Sequence, residues 1–232
     1  MVLTLNWQLP AGVAATVTTV EQPGNLAAHV NADPAQVIRQ RRQLIQHASL
    51  PCAPRWLQQV HGNHVVTFSQ ARPTQVADAI YSAQPSSVCA VLTADCLPIL
   101  LCSDDGSEIA AVHAGWRGLV NGVIENTLQH FHHNAKNVQA YIGPAISQAA
   151  FEVGVDVYQA FSSLELVDSA TFYPHIENKW MANLPLMAQR LLHRAGCIKV
   201  TLSNMCTYSD ARFYSYRKDP HCGRIATLIW KK

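Results

Sequence analysis

Apolar positions along this chain fall into short runs, and the residues at the breaks carry as much information as the runs. Val13 to Val20 alternates with the two-residue period of a half-buried strand. Asp33-Pro34 then reads as an N-cap followed by proline at the first helical position. Behind it, Val37, Ile38, Leu44, Ile45 and Ala48 fall on one helical face. Arg55 to Val60 and His64 to Phe68 read as two strands joined by a turn at Gly62-Asn63, which puts His61 at a strand end or hairpin tip.

The centre is the most strand-rich part. Val88 to Leu92, Pro98 to Cys102 and Ile109 to Val112 are apolar runs bounded by polar breaks such as Asp104-Asp105-Gly106. After Gly118, the spacing of Val120, Val123, Ile124, Leu128 and Phe131 predicts one helix ending in His130, His132, His133 and Asn134. Those histidines are expected to meet the helix C-terminal dipole or water. A strand at Val138 to Ile142 precedes the turn Gly143-Pro144, and helices are expected from about Asp156 to Ser162 and from Pro185 to Ala195, the latter stopped by Gly196. Ile198 to Leu202, Phe213 to Tyr216 and Ile225 to Trp230 close the chain as strands. Irregular alternation with several hairpins points to an α+β protein with mixed sheets and a single domain over 1–232. Neither a GxGxxG nor a P-loop pattern occurs, so the usual nucleotide cofactors have no support.

Composition narrows the function classes. The chain is 49% hydrophobic and 14% charged, as in an ordinary globular protein, and 232 residues suffice for a sizeable core. A net charge of +2 without a dense Lys/Arg cluster argues against a nucleic-acid surface, and Arg39, Arg41 and Arg42 are expected on the solvated or rim side of their helix. The first 38 residues hold no Lys or Arg and no apolar run reaches about 18 residues, so neither a secretory signal nor a membrane span is expected. Seven cysteines, an odd number without a CxxC pair, read as reduced thiols of a cytoplasmic protein.

The breaks gather reactive residues. Cys96 follows Asp95 in Thr93-Ala94-Asp95-Cys96-Leu97-Pro98, His113 ends an apolar run before Gly115-Trp116-Arg117-Gly118, and His61 sits in Gln59-Val60-His61-Gly62-Asn63. One Cys and two His are what an open zinc site with three protein ligands would use. Taken singly, each has a plainer explanation: Cys96 as a small buried hydrophobe, His61 as a solvated turn residue, and the Gly-Trp-Arg-Gly segment as a tight strand-to-helix turn. Asp95 would not lower the Cys96 pKa, so a thiolate there requires a metal, a cation or a helix end. Arg117 offers a planar fork for phosphate or carboxylate. Cys206-Thr207-Tyr208 and Phe213 to Arg217 would form an aromatic wall able to stack a flat heterocycle, or would simply pack on a helix.

The segments QVHGNHV (59–65), TADCLPILLC (93–102), AAVHAGWRGL (110–119), IGPAIS (142–147), FEVG (151–154), CTY (206–208) and FYSYRKD (213–219) resemble, in order and spacing, the bacterial YfiH-type family. Asn25 to Val30 and Gly223 to Thr227 fit as well. The family has been described successively as polyphenol-oxidase laccases, peptidoglycan editing factors and purine nucleoside phosphorylases. The resemblance implies a layered fold of mixed sheets flanked by helices and a zinc site of His61, Cys96 and His113. It also implies phosphorolysis of adenosine, inosine and methylthioadenosine and deamination of adenosine, while the older oxidase description adds Cu2+ as an alternative metal. The family's Ala-Asp-Ala segment maps onto Ala77-Asp78-Ala79. The chain departs from the pattern at Asn31-Ala32-Asp33, at Asn183 where an Asp is common, and at Ser147 where a second Gly is common; Asn183 puts a carboxylate role at that position in doubt.

On this reading, Cys96 and His113 are catalytic, with Asp78 or Asp95 as proton carrier, and Arg117 helped by Arg42 or Arg217 anchors phosphate. Nucleosides and phosphate are then the partners; the sequence leaves the oligomeric state open. Three rivals stand beside it. A cysteine hydrolase would use Cys96 with His113 as base to cleave a peptidoglycan-precursor amide without metal. A multicopper oxidase would need several paired HxH motifs, whereas His130-Phe131-His132 is the only one here. A zinc-stabilised binding module would need neither the open coordination position nor the convergent arginines.

Overall fold

The computed structural model of the chain describes residues 3–30, 32–72 and 74–232. Its strands in chain order are β1 (Val13–Val17), β2 (Val65–Thr67), β3 (Ala79–Ser82), β4 (Val88–Thr93), β5 (Leu97–Ser103), β6 (Ile109–Ala114), β7 (Val138–Ile142), β8 (Glu152–Val153), β9 (Phe172–Pro174), β10 (Trp180–Ala182), β11 (Lys199–Leu202) and β12 (Ile225–Lys231). The helices are α1 (Pro34–His47), α2 (Trp116–Val120), α3 (Val123–Leu128), α4 (Val155–Ser162) and α5 (Leu184–Arg194).

Strands β4, β5 and β6 are buried at every position, which explains why the central runs are apolar throughout rather than alternating. Their two faces feed different cores. Leu97, Ile99 and Leu101 of β5 join Leu119, Ile124, Met187 and Leu191 from the helices. Leu100 and Cys102 face Cys89 and Val91 of β4 and Ile229 of β12. The opposite face of β4 and β12, through Ala90, Leu92 and Leu228, packs on Leu26 and on Leu44 of α1. The result is a layered α+β fold: α1, the sheet β1-β12-β4, the six-stranded sheet β11-β7-β5-β6-β3-β2, then helices. A small sheet, β8-β10-β9, lies to one side. The large sheet is mixed, with β11–β7 and β2–β3 parallel and the other pairs antiparallel.

Asp33 caps α1 by accepting from the Ala35 amide, with Pro34 in the first turn, as expected. Val37 and Leu44 of that helix are buried, but Ile38 is exposed. Arg39 and Arg42 are exposed, whereas Arg41 is half-buried. All seven cysteines are free thiols, and among the described residues no helix is long and apolar enough to cross a membrane. Asn31, one of the three residues at which the chain departs from the family pattern near its start, lies outside the described residues.

Several expectations are corrected. Arg55 to Val60 is not a strand, and no hairpin closes at Gly62-Asn63. Gln58 instead bridges Val76, while β2 runs parallel to β3, a strand the pattern did not predict. The long helix after Gly118 is two helices, because Gly122 adopts φ +80 between them. Phe213 to Tyr216 is irregular, leading into a turn at Tyr216, and not a strand. Its backbone folds inward to Asp95, which accepts from Ser215 Oγ at 3.0 Å and from the Arg217 amide at 2.7 Å. The 130–133 histidines also differ. His130 Nδ1 does lie 2.9 Å from a helix carbonyl, Asn126 O. His132 and His133, however, converge with Tyr81 on the buried carboxylate of Glu108.

Candidate metal centre

His61, Cys96 and His113 come from three separate turns and strands, yet their ligand atoms all lie within 4.8 Å of one another. His113 is near the end of β6, opposite Pro98 of β5, so the sheet register fixes its height. Cys96 lies between β4 and β5, immediately after Asp95. His61 lies in the irregular turn before β2. The residues placed before or at these turns are strained: His61 has φ +62 and Asp95 has φ +82. For non-glycine residues such conformations cost about 1–3 kcal/mol and persist only where the surroundings impose them.

Two carboxylates impose them. Asp78, wholly buried, accepts from the amides of His61 at 2.9 Å, Gly62 at 2.7 Å and Val60 at 3.2 Å. Asp78 Oδ1 also accepts a hydrogen bond from His113 Nδ1 at 2.8 Å, which turns His113 Nε2 toward Cys96. Asp95 holds the other side. Its carboxylate accepts from Thr207 Oγ1 at 2.6 Å as well as from Ser215 and the Arg217 amide, and its carbonyl accepts from the Ile146 amide at 3.0 Å. Both carboxylates, expected as proton carriers, are thus engaged on both oxygens and brace the ligand-bearing turns.

Cys96 Sγ lies 3.7 Å from His61 Nε2. Bond lengths near 2.3 Å for Zn–S and 2.0–2.1 Å for Zn–N put such a pair about 3.6 Å apart on one tetrahedral ion, so this pair matches one metal ion. The His61 and His113 rings meet edge to face, 4.8 Å between centroids. Burial alone would raise the Cys96 thiol, but hydrogen bonds from His113 and His61 bring it down to about 6. Burial opposes the charge on His113 too, yet Asp78 and Cys96 lift it to about 9. Gly115 completes the centre: a Cβ there would sit 2.8 Å from His61 Cδ2 and 3.2 Å from Cys96 Sγ.

The three side chains open onto a cavity of 460 Å³. Of the three arginines considered for phosphate, Arg117 and Arg217 line it and Arg42 does not. Arg117 stacks on Trp116 at 4.3 Å. Arg217 lies 5.7 Å from the Phe151 ring and donates to the Glu152 carbonyl at 2.9 Å. Among the lining residues to which the sequence reading gave no role are His29, Phe151 and Arg224. Arg224 lies over Tyr216 at 5.6 Å. All three fall inside the segments that carried the resemblance, which was the signal available. Among the described residues, none of the cavity's three arginines forms an ion pair with a carboxylate, although Asp95 also lines the cavity. Asn183, where a carboxylate was in doubt, caps α5 by accepting from the Leu186 amide at 3.2 Å.

Comparison with known proteins agrees with this architecture. A family model described as multi-copper polyphenol oxidoreductase laccase matches residues 12–232. The purine nucleoside phosphorylase YfiH of Escherichia coli is 42% identical over 97% of this chain and 96% of its own. A purine nucleoside phosphorylase of Pseudomonas aeruginosa is also 42% identical, over 98% and 97%. The crystal structure of protein NMB0706 of Neisseria meningitidis superposes with a TM-score of 0.93 at 38% identity, covering 100% of this chain and 99% of that one. YlmD of Geobacillus stearothermophilus shares the fold, with a TM-score of 0.86 at 23% identity over 96% and 93%. On sequence and on structure alike, the chain belongs to the YfiH family.

Proposed function

We propose that this protein is a zinc-dependent purine nucleoside phosphorylase acting on adenosine, inosine and methylthioadenosine, with adenosine deamination as a second activity. One observation carries the reading: a His61–Cys96–His113 donor set lies at a cavity whose arginines have no carboxylate partners. The names of the relatives support the phosphorylase class. When bound, the metal supplies Lewis acidity and a water of lowered pKa.

The chain's own residues provide the rest. Arg117 and Arg217 bind and orient a phosphate oxygen toward C1′ of the ribose, a task suited to planar guanidinium forks. As the bond between a hydrogenphosphate oxygen and C1′ forms, the C1′–N9 bond breaks, and the purine leaves with the proton that the hydrogenphosphate gives up. Tyr216, Phe151 and Trp116 flank the cavity and give a flat base apolar surfaces to lie against. Asp78 fixes the His113 tautomer, and Asp95 fixes the Cys96 turn. Neither is proposed as a proton carrier, because both oxygens of each are already hydrogen-bonded.

A cysteine hydrolase is the second reading, favoured by one observation: Cys96 Sγ lies 3.7 Å from His61 Nε2, and against its burial the two histidines lower the thiol's pKa, as for a nucleophile. For multicopper chemistry the ligands are too few, since His61, Cys96 and His113 are the one set of converging ligand atoms found at the cavity among the described residues. An open cavity at the donor set also suits a metal acting on substrate better than an enclosed electron-transfer copper. The test is to assay adenosine with and without phosphate, before and after chelation. Phosphate-dependent release of adenine and ribose 1-phosphate that chelation abolishes supports the proposal. Amide hydrolysis persisting in metal-free protein supports the hydrolase.

A further inference from the structure

A second cavity of 590 Å³ adjoins the metal cavity and shares His29, Gln59 and Leu92 with it. Its chemistry is different. Arg41, Arg55 and Arg72 line it, and no Asp or Glu does. Among the described residues none of the three arginines is ion-paired. Arg41 is fixed: its Nε and Nη2 donate to the Leu26 carbonyl at 3.0 and 2.8 Å, and its guanidinium lies 4.5 Å over the Trp56 ring. Arg55 lies 5.3 Å over Phe68. Arg55 and Arg72 are both exposed at the rim. On the shared wall His29 has its pKa lowered first by burial and then by Arg224 of the metal cavity and Arg41 of the second one.

Three guanidiniums around one concave surface, with no carboxylate to neutralise them, repel one another unless an anion enters. Planar forks suit the oxygens of phosphate, and an indole face beside them suits a ligand that is not purely ionic. A nucleoside is uncharged and has no use for these arginines. We propose that the second cavity is an anion subsite continuous with the metal cavity, and that it takes the phosphate groups of a phosphorylated nucleoside whose base and sugar occupy the metal cavity. Only the placing of the base and sugar rests on the nucleoside reading above; the anion subsite stands on its own residues.

The test uses the metal-loaded protein and calorimetric titration with adenosine, ADP and pyrophosphate at about 50 mM salt, where surface electrostatics are weakly screened. ADP is expected to bind about tenfold or more tightly than adenosine, as charge-assisted hydrogen bonds to two or three arginines provide. Arg55→Ala combined with Arg72→Ala removes exposed side chains that hold no part of the core. In that variant ADP should fall to within about threefold of adenosine, with adenosine binding unchanged. Pyrophosphate should bind the wild type more tightly than the variant; any chelation of the metal is common to both proteins. ADP binding no tighter than adenosine, or an advantage that persists in the double variant, overturns the proposal. If adenosine does not bind at all, the nucleoside reading fails, while pyrophosphate binding that depends on Arg55 and Arg72 still supports the anion subsite.

Discussion

Asp78 Oδ1 lies 2.8 Å from His113 Nδ1, with the side chains of both shielded almost completely from water. That contact sets the tautomer of His113 and leaves Nε2 directed to the group formed with Cys96 and His61. Because the same carboxylate gathers the amides of residues 60 to 62, it ties the backbone of one histidine to the ring of the other. Burial works against the Asp78 charge, but His113 and the backbone amides hold its pKa below the ordinary carboxylate value. An ionised buried carboxylate in this position would orient His113 as outer-shell partners of ligating histidines do, if the group holds the proposed metal.

Asp78→Asn keeps the size of the side chain and removes the charge. Metal affinity, measured by competition with a chromophoric chelator, should fall about 10–100-fold, as for other outer-shell partners of ligating histidines. Unchanged affinity would show that Asp78 serves the fold alone.

Gly115 is required by space rather than by backbone conformation, its φ being −65. Gly115→Ala forces a methyl group against His61 and Cys96. The variant should fold, because the strand β6 and helix α2 on either side are unaffected, yet bind metal at well below one ion per chain. Full metal occupancy in the variant, read by elemental analysis, would contradict this packing account.

Asp95 joins segments far apart in sequence, reaching Thr207, Ser215 and Arg217. Asp95→Ala leaves these donors without their acceptor and should cost about 2–4 kcal/mol in denaturant unfolding. Amide exchange should accelerate selectively across residues 206–217. Uniform acceleration over the whole chain would mean that Asp95 does not hold that segment.

Glu108 makes stability depend on pH in two windows. Burial would raise its pKa, but Tyr81, the His132 amide and His133 bring it to about 2, against an ordinary 4.5. A depressed carboxylate stabilises above its unfolded value and loses that contribution as pH falls from about 4.5 to 2. His133 is raised above 6.5, with Glu108 the main cause. Its contribution is complete below 6.5 and fades as pH rises through the elevated value. The wild type should therefore exceed Glu108→Gln in melting temperature most at about pH 5.5, and less at pH 3 and pH 8. An equal difference at all three would refute the assignment.

Much of the fold was legible because its signals are local. The apolar runs of β4, β5 and β6 and the Asp33-Pro34 start of α1 were read from neighbouring residues alone. Apart from the helix break at Gly122, which is local, the failures come from long-range contacts. Gln58 pairs with Val76 rather than across Gly62-Asn63, and Phe213 to Tyr216 bends because Asp95, more than a hundred residues away, takes its donors. At the site, the three ligand types stood out in the sequence as residues at breaks between apolar runs. Their convergence, the bracing by Asp78 and Asp95, and the entry of His29 and Arg224 depend on sheet register, which no local pattern carries. Arg42 illustrates the converse: its charge suited phosphate, but it is exposed and does not line the cavity.

The central claim is that His61, Cys96 and His113 hold one metal ion that serves phosphorolysis. The most direct measurement pairs metal content with phosphate-dependent cleavage of adenosine in the wild type and in Cys96→Ala. The account predicts about one zinc per wild-type chain and formation of adenine with ribose 1-phosphate, both lost in the variant. Undiminished phosphorolysis in a metal-free Cys96→Ala protein would contradict it.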